Sequence, residues 1–204
     1  MLTLPNLITI ARILLVPVFA ILFVMPGDSA RLAAFAIFVI AGASDALDGL
    51  AARKLQAGSD FGRMLDPIAD KILVAVALMM LVAEGSVQQF ILTGPGIRGL
   101  LKLVPALIIL TREILVSGLR EFLAGADVGL PVTGIAKAKT AIQMVAIGAM
   151  ILGPIADRFI PGALAFAYVA LWVAAGLTVY TGYVYFRAGL AHLHGGRGKA
   201  GDVA

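Results

Sequence analysis

The chain has 204 residues, 61% of them hydrophobic and only 14% charged, with a mean hydropathy of +1.01; soluble domains carry roughly 25% charged and about 45–50% apolar residues. Its 16 Lys and Arg against 12 Asp and Glu leave a net charge of +4. That surplus suits membrane orientation and anionic head groups, leaves no soluble basic domain to carry nucleic acid, and with no cysteine present disulfide and thiolate chemistry are excluded.

Apolar runs approaching the roughly 20 residues that a bilayer-spanning helix requires point to an all-α, polytopic membrane protein. The runs lack the apolar and polar alternation of a barrel. The first helix, expected over 6–25, has neither the basic leader nor the small-residue cleavage site of a signal peptide and is expected to stay attached. Pro26-Gly27-Asp28 closes it, and a second helix follows over 29–55. The Gly58-Ser59-Asp60 turn leads into a third over 64–84. Residues 85–99, with Thr93-Gly94-Pro95-Gly96 among them, form the longest connection and have room for a short interfacial helix. Helices over 100–124, 135–153 and 161–187 complete six spans, with breaks at Gly125-Ala126-Asp127 and Gly153-Pro154.

Basic residues divide unevenly between the two ends of these helices. Arg12, Arg53, Lys54, Arg63, Lys71, Arg112, Arg120, Lys137, Lys139, Arg187, Arg197 and Lys199 fall toward one side, and Arg31, Arg98, Lys102 and Arg158 toward the other. The positive-inside rule then predicts cytoplasmic termini, with the aspartate-rich segment on the same face. Tyr180, Tyr183 and Tyr185, just before Arg187, fit an interfacial aromatic belt. His192 and His194 have no acidic or cysteine partner near them in sequence, so they read as part of a solvated tail.

Charge concentrates in DALDGLAARKLQAGSDFGRMLDPIADK, residues 45–71. Asp45 and Asp48 are three apart and Asp66 and Asp70 four apart, so each pair shares one face of its helix. The intervening turn folds the second helix back on the first and gathers four carboxylates, an arrangement that needs cations or protons to neutralise it. Oxygen-only ligation points to hard divalent ions, Mg²⁺ first and Mn²⁺ or Ca²⁺ as substitutes, which typically work on phosphates. Spacing alone leaves three readings open: a metal and phosphate catalytic site, a cation pathway, or structural pairing with Arg53, Arg63 and Lys71. Gly42, Ala43, Gly49, Ala52 and Gly62 beside the acids allow close helix packing or, for Gly49, Ala52 and Gly62, a slot for a flat ligand group.

The pattern Asp45-x-x-Asp48-Gly49-x-x-Ala52-Arg53, eight residues, then Gly62-x-x-x-Asp66-x-x-x-Asp70 resembles the signature of the CDP-alcohol phosphatidyltransferase family at every fixed position. The resemblance implies the CDP-alcohol phosphotransferase fold, six transmembrane helices, a homodimer and displacement of CMP from a CDP-linked lipid by an alcohol. It implies that Asp45, Asp48 and Asp66 hold two divalent metals, that Asp70 shares in ligation and acts as general base, and that Gly49, Ala52, Arg53 and Gly62 line the nucleotide site. The absence of a spare nucleophile among these motifs favours direct displacement over a covalent phosphatidyl-enzyme.

The second half of the chain bears on the acceptor. Arg112 lies eleven residues before Leu123, about 16 Å into the membrane, and a guanidinium that deep needs a partner: Glu113 and Glu121 are available for a structural ion pair. Lys137, Lys139 and Thr140 open the fifth helix, where free amides and the helix dipole favour an anion. That placement serves either positive-inside charge or a second phosphate site. The run Leu4-Pro5-Asn6-Leu7-Ile8-Thr9 with Arg12, Thr111-Arg112-Glu113, Leu119-Arg120-Glu121 and Lys137-x-Lys139-Thr140-x-x-Gln143 resembles the bacterial phosphatidylglycerophosphate synthase branch of the family. This implies a bacterial inner-membrane enzyme in which glycerol 3-phosphate attacks CDP-diacylglycerol, with Thr111, Arg112, Arg120, Lys137 and Lys139 forming the acceptor phosphate pocket. Siblings using inositol phosphate or phosphatidylglycerol, and more remotely a cation transporter, are the alternatives. The expected organisation is one transmembrane catalytic domain over 1–190 and a flexible tail over 191–204.

Overall fold

The computed structural model describes residues 4–55, 60–84, 97–125 and 134–196, and among these every regular element is an α-helix. The six are α1 (Leu4–Val24), α2 (Asp28–Leu55), α3 (Asp60–Ala83), α4 (Ile97–Gly125), α5 (Gly134–Ala156) and α6 (Ala163–Gly196). Three of them contain stretches long and apolar enough to cross a bilayer: Asn6–Val24, Ala138–Ala156 and Ala163–Leu190. The apolar stretch of α3, Lys71–Ala83, is shorter. The chain is an integral membrane protein of all-α class.

Most boundaries lie within four residues of those expected from sequence, and two differences have clear causes. Gly153-Pro154 does not end α5, because a proline deletes only one ladder bond and the last turn continues to Ala156. The chain then turns over 157–162, where Asp157 Oδ1 accepts from the amides of Gly162 (3.0 Å) and Leu164 (3.1 Å) and so caps the start of α6. At the other end α6 runs to Gly196, nine residues beyond the expected 187 and into the segment expected to be a tail. The residues after Arg187 are mostly helix-compatible Ala and Leu, and the first glycine pair is Gly195-Gly196. Residues 197–204, and the suggested interfacial helix within 85–96, lie outside the described residues.

A three-residue link, 25–27, joins α1 to α2, with Gly27 at φ 106° in the left-handed region. So short a link makes the pair antiparallel, and α1 packs on both α2 and α3. The other extensive contacts are α5 with α6 and α4 with α6; α2 with α5 and α3 with α4 close the bundle. Buried aromatics and alanines fill the middle. Phe19 sits against Phe23 and Phe38 with ring centroids 5.8 and 6.1 Å apart, while Ala34, Ala41, Ala77, Ala146 and Ala174 let helices approach closely. Gly42 belongs to this packing: the Met144 methyl occupies the place that a Cβ would take. For that residue the close-packing reading holds.

One end of the bundle is closed by ion pairs. Arg31, near the start of α2, forks onto Glu84 just past the end of α3, with Nη2 to Oε2 at 3.1 Å, and donates from Nε to the Ile151 carbonyl at 2.6 Å. Lys102 near the start of α4 reaches the same carboxylate at 3.3 Å, and Arg158 pairs with Asp28 at 2.6 Å. These contacts bring the start of α2, the end of α3, the start of α4 and the end of α5 to one level. The aspartate-bearing turn between α2 and α3 is therefore at the opposite end.

Burial alone would raise the Glu84 carboxyl, but the Arg31 hydrogen bonds and charge, reinforced by Lys102, hold it below its ordinary value of 4.5. A carboxyl lowered on folding stabilises the fold above its ordinary value, and that contribution is lost as pH falls through the lowered value. Glu84→Gln is expected to lower the melting temperature at neutral pH by about 2–4 °C, the shift that roughly 1 kcal/mol produces in a chain this size. Melting curves in detergent from pH 7 down to 3 should also show a shallower acid limb than wild type; identical curves would mean that the pairs contribute nothing to stability.

Candidate active site

Asp45 lies ten residues before the end of α2 at Leu55 and Asp70 ten residues after the start of α3 at Asp60, so each stands about 15 Å along its helix from that end; Asp48 and Asp66, seven and six residues from those ends, stand about 10 Å along. Two antiparallel helices thus carry their four aspartates in two level tiers. Because α3 starts four residues earlier than expected, Asp66 and Asp70 sit in its second and third turns and Gly62 in its first. The side chains of residues 45–55, 60–64, Asp66 and Asp70 lie outside the described part of the structure, as does that of Lys137. Among the described side chains no group of three or more His, Cys, Asp or Glu is assembled.

Described groups from α1 and α4 approach these tiers. On α1, Asn6, Thr9 and Arg12 recur at helical spacing and all three are buried, Arg12 being 1% exposed. A polar stripe on an otherwise apolar helix faces inward because it has polar work to do there. Arg12 Nε donates to Ser44 Oγ at 3.3 Å, and Ser44 Oγ donates to the Ala41 carbonyl at 2.8 Å. A buried guanidinium is thereby fixed one residue before Asp45. From the other helix, the Lys71 ammonium donates to Ser117 Oγ, which ties the residue after Asp70 to α4. Sequence reading counted Arg12 only as orientation charge and family motif; the spacing 6, 9, 12 was the available signal for its burial.

A second polar cluster lies between α4, α5 and α6. Glu113 accepts from Arg112 Nη1 at 3.3 Å and from the Lys139 ammonium, so one carboxylate serves two cations. Arg112 Nη2 donates to Thr181 Oγ1 at 3.1 Å, and its guanidinium carbon lies 5.8 Å from the Tyr185 ring centroid. Its stem crosses Gly182, where an added Cβ would meet Arg112 Cγ at 3.0 Å. The side chains are well covered, with Arg112 12% and Lys139 4% exposed. Among the described side chains two cations share this one carboxylate, and Lys139 has a further partner besides. Arg112 Nε, moreover, is buried without a hydrogen-bond partner among the described residues.

Of the five residues expected to form an acceptor pocket, the structure brings Arg112 and Lys139 together, while Thr111 and Arg120 are exposed. Arg112 takes Glu113 as its carboxylate; Glu121 is exposed. Tyr185 does not belong to an aromatic belt. Tyr180 and Tyr183 are exposed, with Arg187 over the Tyr183 ring at 5.9 Å, but Tyr185 is buried because it shares the inward face with Thr178 and Thr181, seven and four residues earlier. Thr181, Gly182 and Tyr185 are the site residues that the sequence reading missed.

The sequence profile of the CDP-alcohol phosphatidyltransferase family matches residues 2–180. The chain belongs to that family. Among similar proteins, the CDP-diacylglycerol–glycerol-3-phosphate 3-phosphatidyltransferase of Rickettsia bellii is 43% identical over 185 residues, covering 91% of this chain and 94% of the relative. The protein of the same name from Bacillus subtilis is 38% identical over 201 residues, covering 91% of this chain and 94% of its own. A cardiolipin synthase (CMP-forming) of Oryza sativa subsp. japonica is 38% identical over 194 residues, covering 92% of this chain and 57% of the longer relative. A CDP-alcohol phosphatidyltransferase has to hold a CDP-linked lipid and an alcohol together within reach of the membrane.

Proposed function

We propose that this chain transfers the phosphatidyl group of CDP-diacylglycerol to glycerol 3-phosphate, giving phosphatidylglycerophosphate and CMP at the cytoplasmic face of a bacterial inner membrane. The observation that carries the choice of acceptor is the pair of buried cations, Arg112 and Lys139, gathered at Glu113, with a guanidinium N–H of Arg112 left without a partner. Such a centre suits an alcohol that itself bears a phosphate. The names of the 38–43% identical relatives support the same reaction.

In this reading Arg112 and Lys139 hold the acceptor phosphate, with Arg120, Lys137 and Thr111 toward its entrance, and Glu113 keeps the two cations oriented. The terminal hydroxyl oxygen of glycerol 3-phosphate attacks the phosphatidyl phosphorus in line, the P–O bond to CMP breaks, and Asp70 takes the hydroxyl proton. Gly49, Ala52, Arg53 and Gly62 form the nucleotide side of the site. Four carboxylates in two level tiers, with no nitrogen or sulfur donor among them, fit hard divalent cations. Asp45, Asp48, Asp66 and Asp70 would hold two Mg²⁺ ions, or Mn²⁺, which when bound neutralise the pyrophosphate and the departing CMP phosphate. The uneven division of Lys and Arg supports cytoplasmic termini and six spans, and family membership supports a homodimer.

The test is CMP release by purified protein with CDP-diacylglycerol and Mg²⁺, offering glycerol 3-phosphate, inositol phosphate, free inositol, serine or phosphatidylglycerol. Release stimulated by glycerol 3-phosphate alone and abolished by chelator is the expected result. Stimulation by phosphatidylglycerol instead would make the protein a cardiolipin synthase, and no release with any acceptor from folded protein would return the aspartates to a cation pathway.

A further inference from the structure

The ionic cluster has a second polar layer beneath it that the proposed reaction has not used. One helical turn beyond Lys139 on the same face of α5 lies Gln143, 3% exposed, whose side-chain carbonyl oxygen is buried without a hydrogen-bond partner among the described residues. One turn before Thr181 on α6 lies Thr178, 0% exposed, whose hydroxyl oxygen is likewise unpartnered. Arg112 Nε, on α4, is the third such atom. The three helices pack on one another, α5 with α6 and α6 with α4. Buried polar atoms are nearly always hydrogen-bonded, and one left unpaired is destabilising. Three of them, on or within one turn of residues of a single cation cluster in a largely apolar bundle, leave polar atoms for a guest to satisfy.

We propose that Gln143, with Thr178 beside it, reads the spectator hydroxyl of the acceptor: the hydroxyl on the carbon between the phosphate-bearing carbon and the attacking one. The inference rests on the acceptor reading given above. Arg112 and Lys139 grip the phosphate, which every phosphorylated alcohol has. Charge therefore selects the class and cannot tell one polyol phosphate from another. Discrimination within the class needs a neutral, directional partner next to the phosphate, and an amide carbonyl with no other bond is such a partner. A site that hydrogen-bonds a hydroxyl rejects the analogue lacking it, because its own polar group is then left unpaired.

The experiment compares glycerol 3-phosphate with 3-hydroxypropyl phosphate, which keeps the phosphate and the attacking primary hydroxyl and lacks only the middle one. Wild-type protein is expected to favour glycerol 3-phosphate in kcat/KM by about tenfold or more, the factor carried by one hydrogen bond of about 1.4 kcal/mol. Gln143→Leu should bring the two acceptors to within about twofold, with turnover of 3-hydroxypropyl phosphate kept. Its melting temperature should hold or rise, since an unpartnered buried polar group has been replaced by an apolar one of similar size. Thr178→Val, an isosteric change, should lower the same ratio by a smaller factor. Preference retained undiminished in both variants would overturn the inference while leaving the acceptor reading intact, as would a wild type indifferent to the middle hydroxyl. Failure of both phosphates to elicit CMP release, with another alcohol succeeding, would instead sink the acceptor reading itself.

Discussion

Asp70→Asn is expected to lower CMP release by about a thousandfold or more while leaving the protein folded and membrane-embedded. The substitution keeps the shape of the side chain but removes the proton acceptor, whose contribution as a general base is typically about 10²–10⁴. On the proposed reading it also removes one of the four negative charges that would hold the cations, so the Mg²⁺ concentration giving half-maximal rate should rise in whatever activity remains. Both effects follow from the position of Asp70 level with Asp45 across two antiparallel helices, ten residues from the turn on each side. The measurement is CMP release against Mg²⁺, with a melting curve to show that the fold survives. Asp45→Asn separates the two roles, since it should raise the Mg²⁺ requirement comparably without removing the base. An Asp70→Asn protein that kept a tenth of wild-type turnover would show that the hydroxyl proton leaves by another route.

The fold and the family were legible in this sequence for different reasons. Six helices could be placed because apolar runs and Gly or Pro breaks carry the boundary information locally, and the two misplacements came where a local signal was overruled: Pro154 sits in a last turn that loses one bond and continues, and Arg187 marks a membrane edge without stopping α6. The aspartate signature was legible because charge inside an apolar chain has to be explained. The acceptor cluster was only half legible. Arg112 and Lys139 stand out as cations, but their depth, their shared carboxylate and the Arg112 partners on α6 depend on which helices touch, and Arg112 and Thr181 are 69 residues apart in sequence. Thr181 and Tyr185 look like ordinary residues of an apolar helix until the spacing 178, 181, 185 is read as one face. Gly182 carries no sequence signal at all, since its role is to leave room for the Arg112 stem.

Arg112→Leu should separate acceptor binding from the rest of the machinery. In the wild type two cations share Glu113; Arg112→Leu removes one of the two positive charges and the guanidinium donors that would hold a phosphate. Charge-assisted hydrogen bonds contribute about 1.5–3 kcal/mol each, and a guanidinium can make two to one phosphate, so kcat/KM for glycerol 3-phosphate is expected to fall by about 10²–10³. The KM for CDP-diacylglycerol should stay within about twofold, because the proposed nucleotide residues are on α2 and α3. Arg112→Lys restores the charge but not the fork, nor the contacts with Thr181 and Tyr185, and is expected to recover only part of the loss. Gly182→Ala presses on the Arg112 stem without touching its charge, so it should raise the KM for glycerol 3-phosphate with a smaller effect on kcat. If Arg112 were only a structural ion pair, all three variants would lower the melting temperature and the usable activity together, with both KM values unchanged. A selective rise in the acceptor KM, graded from Gly182→Ala through Arg112→Lys to Arg112→Leu, is the outcome that the charge arithmetic requires.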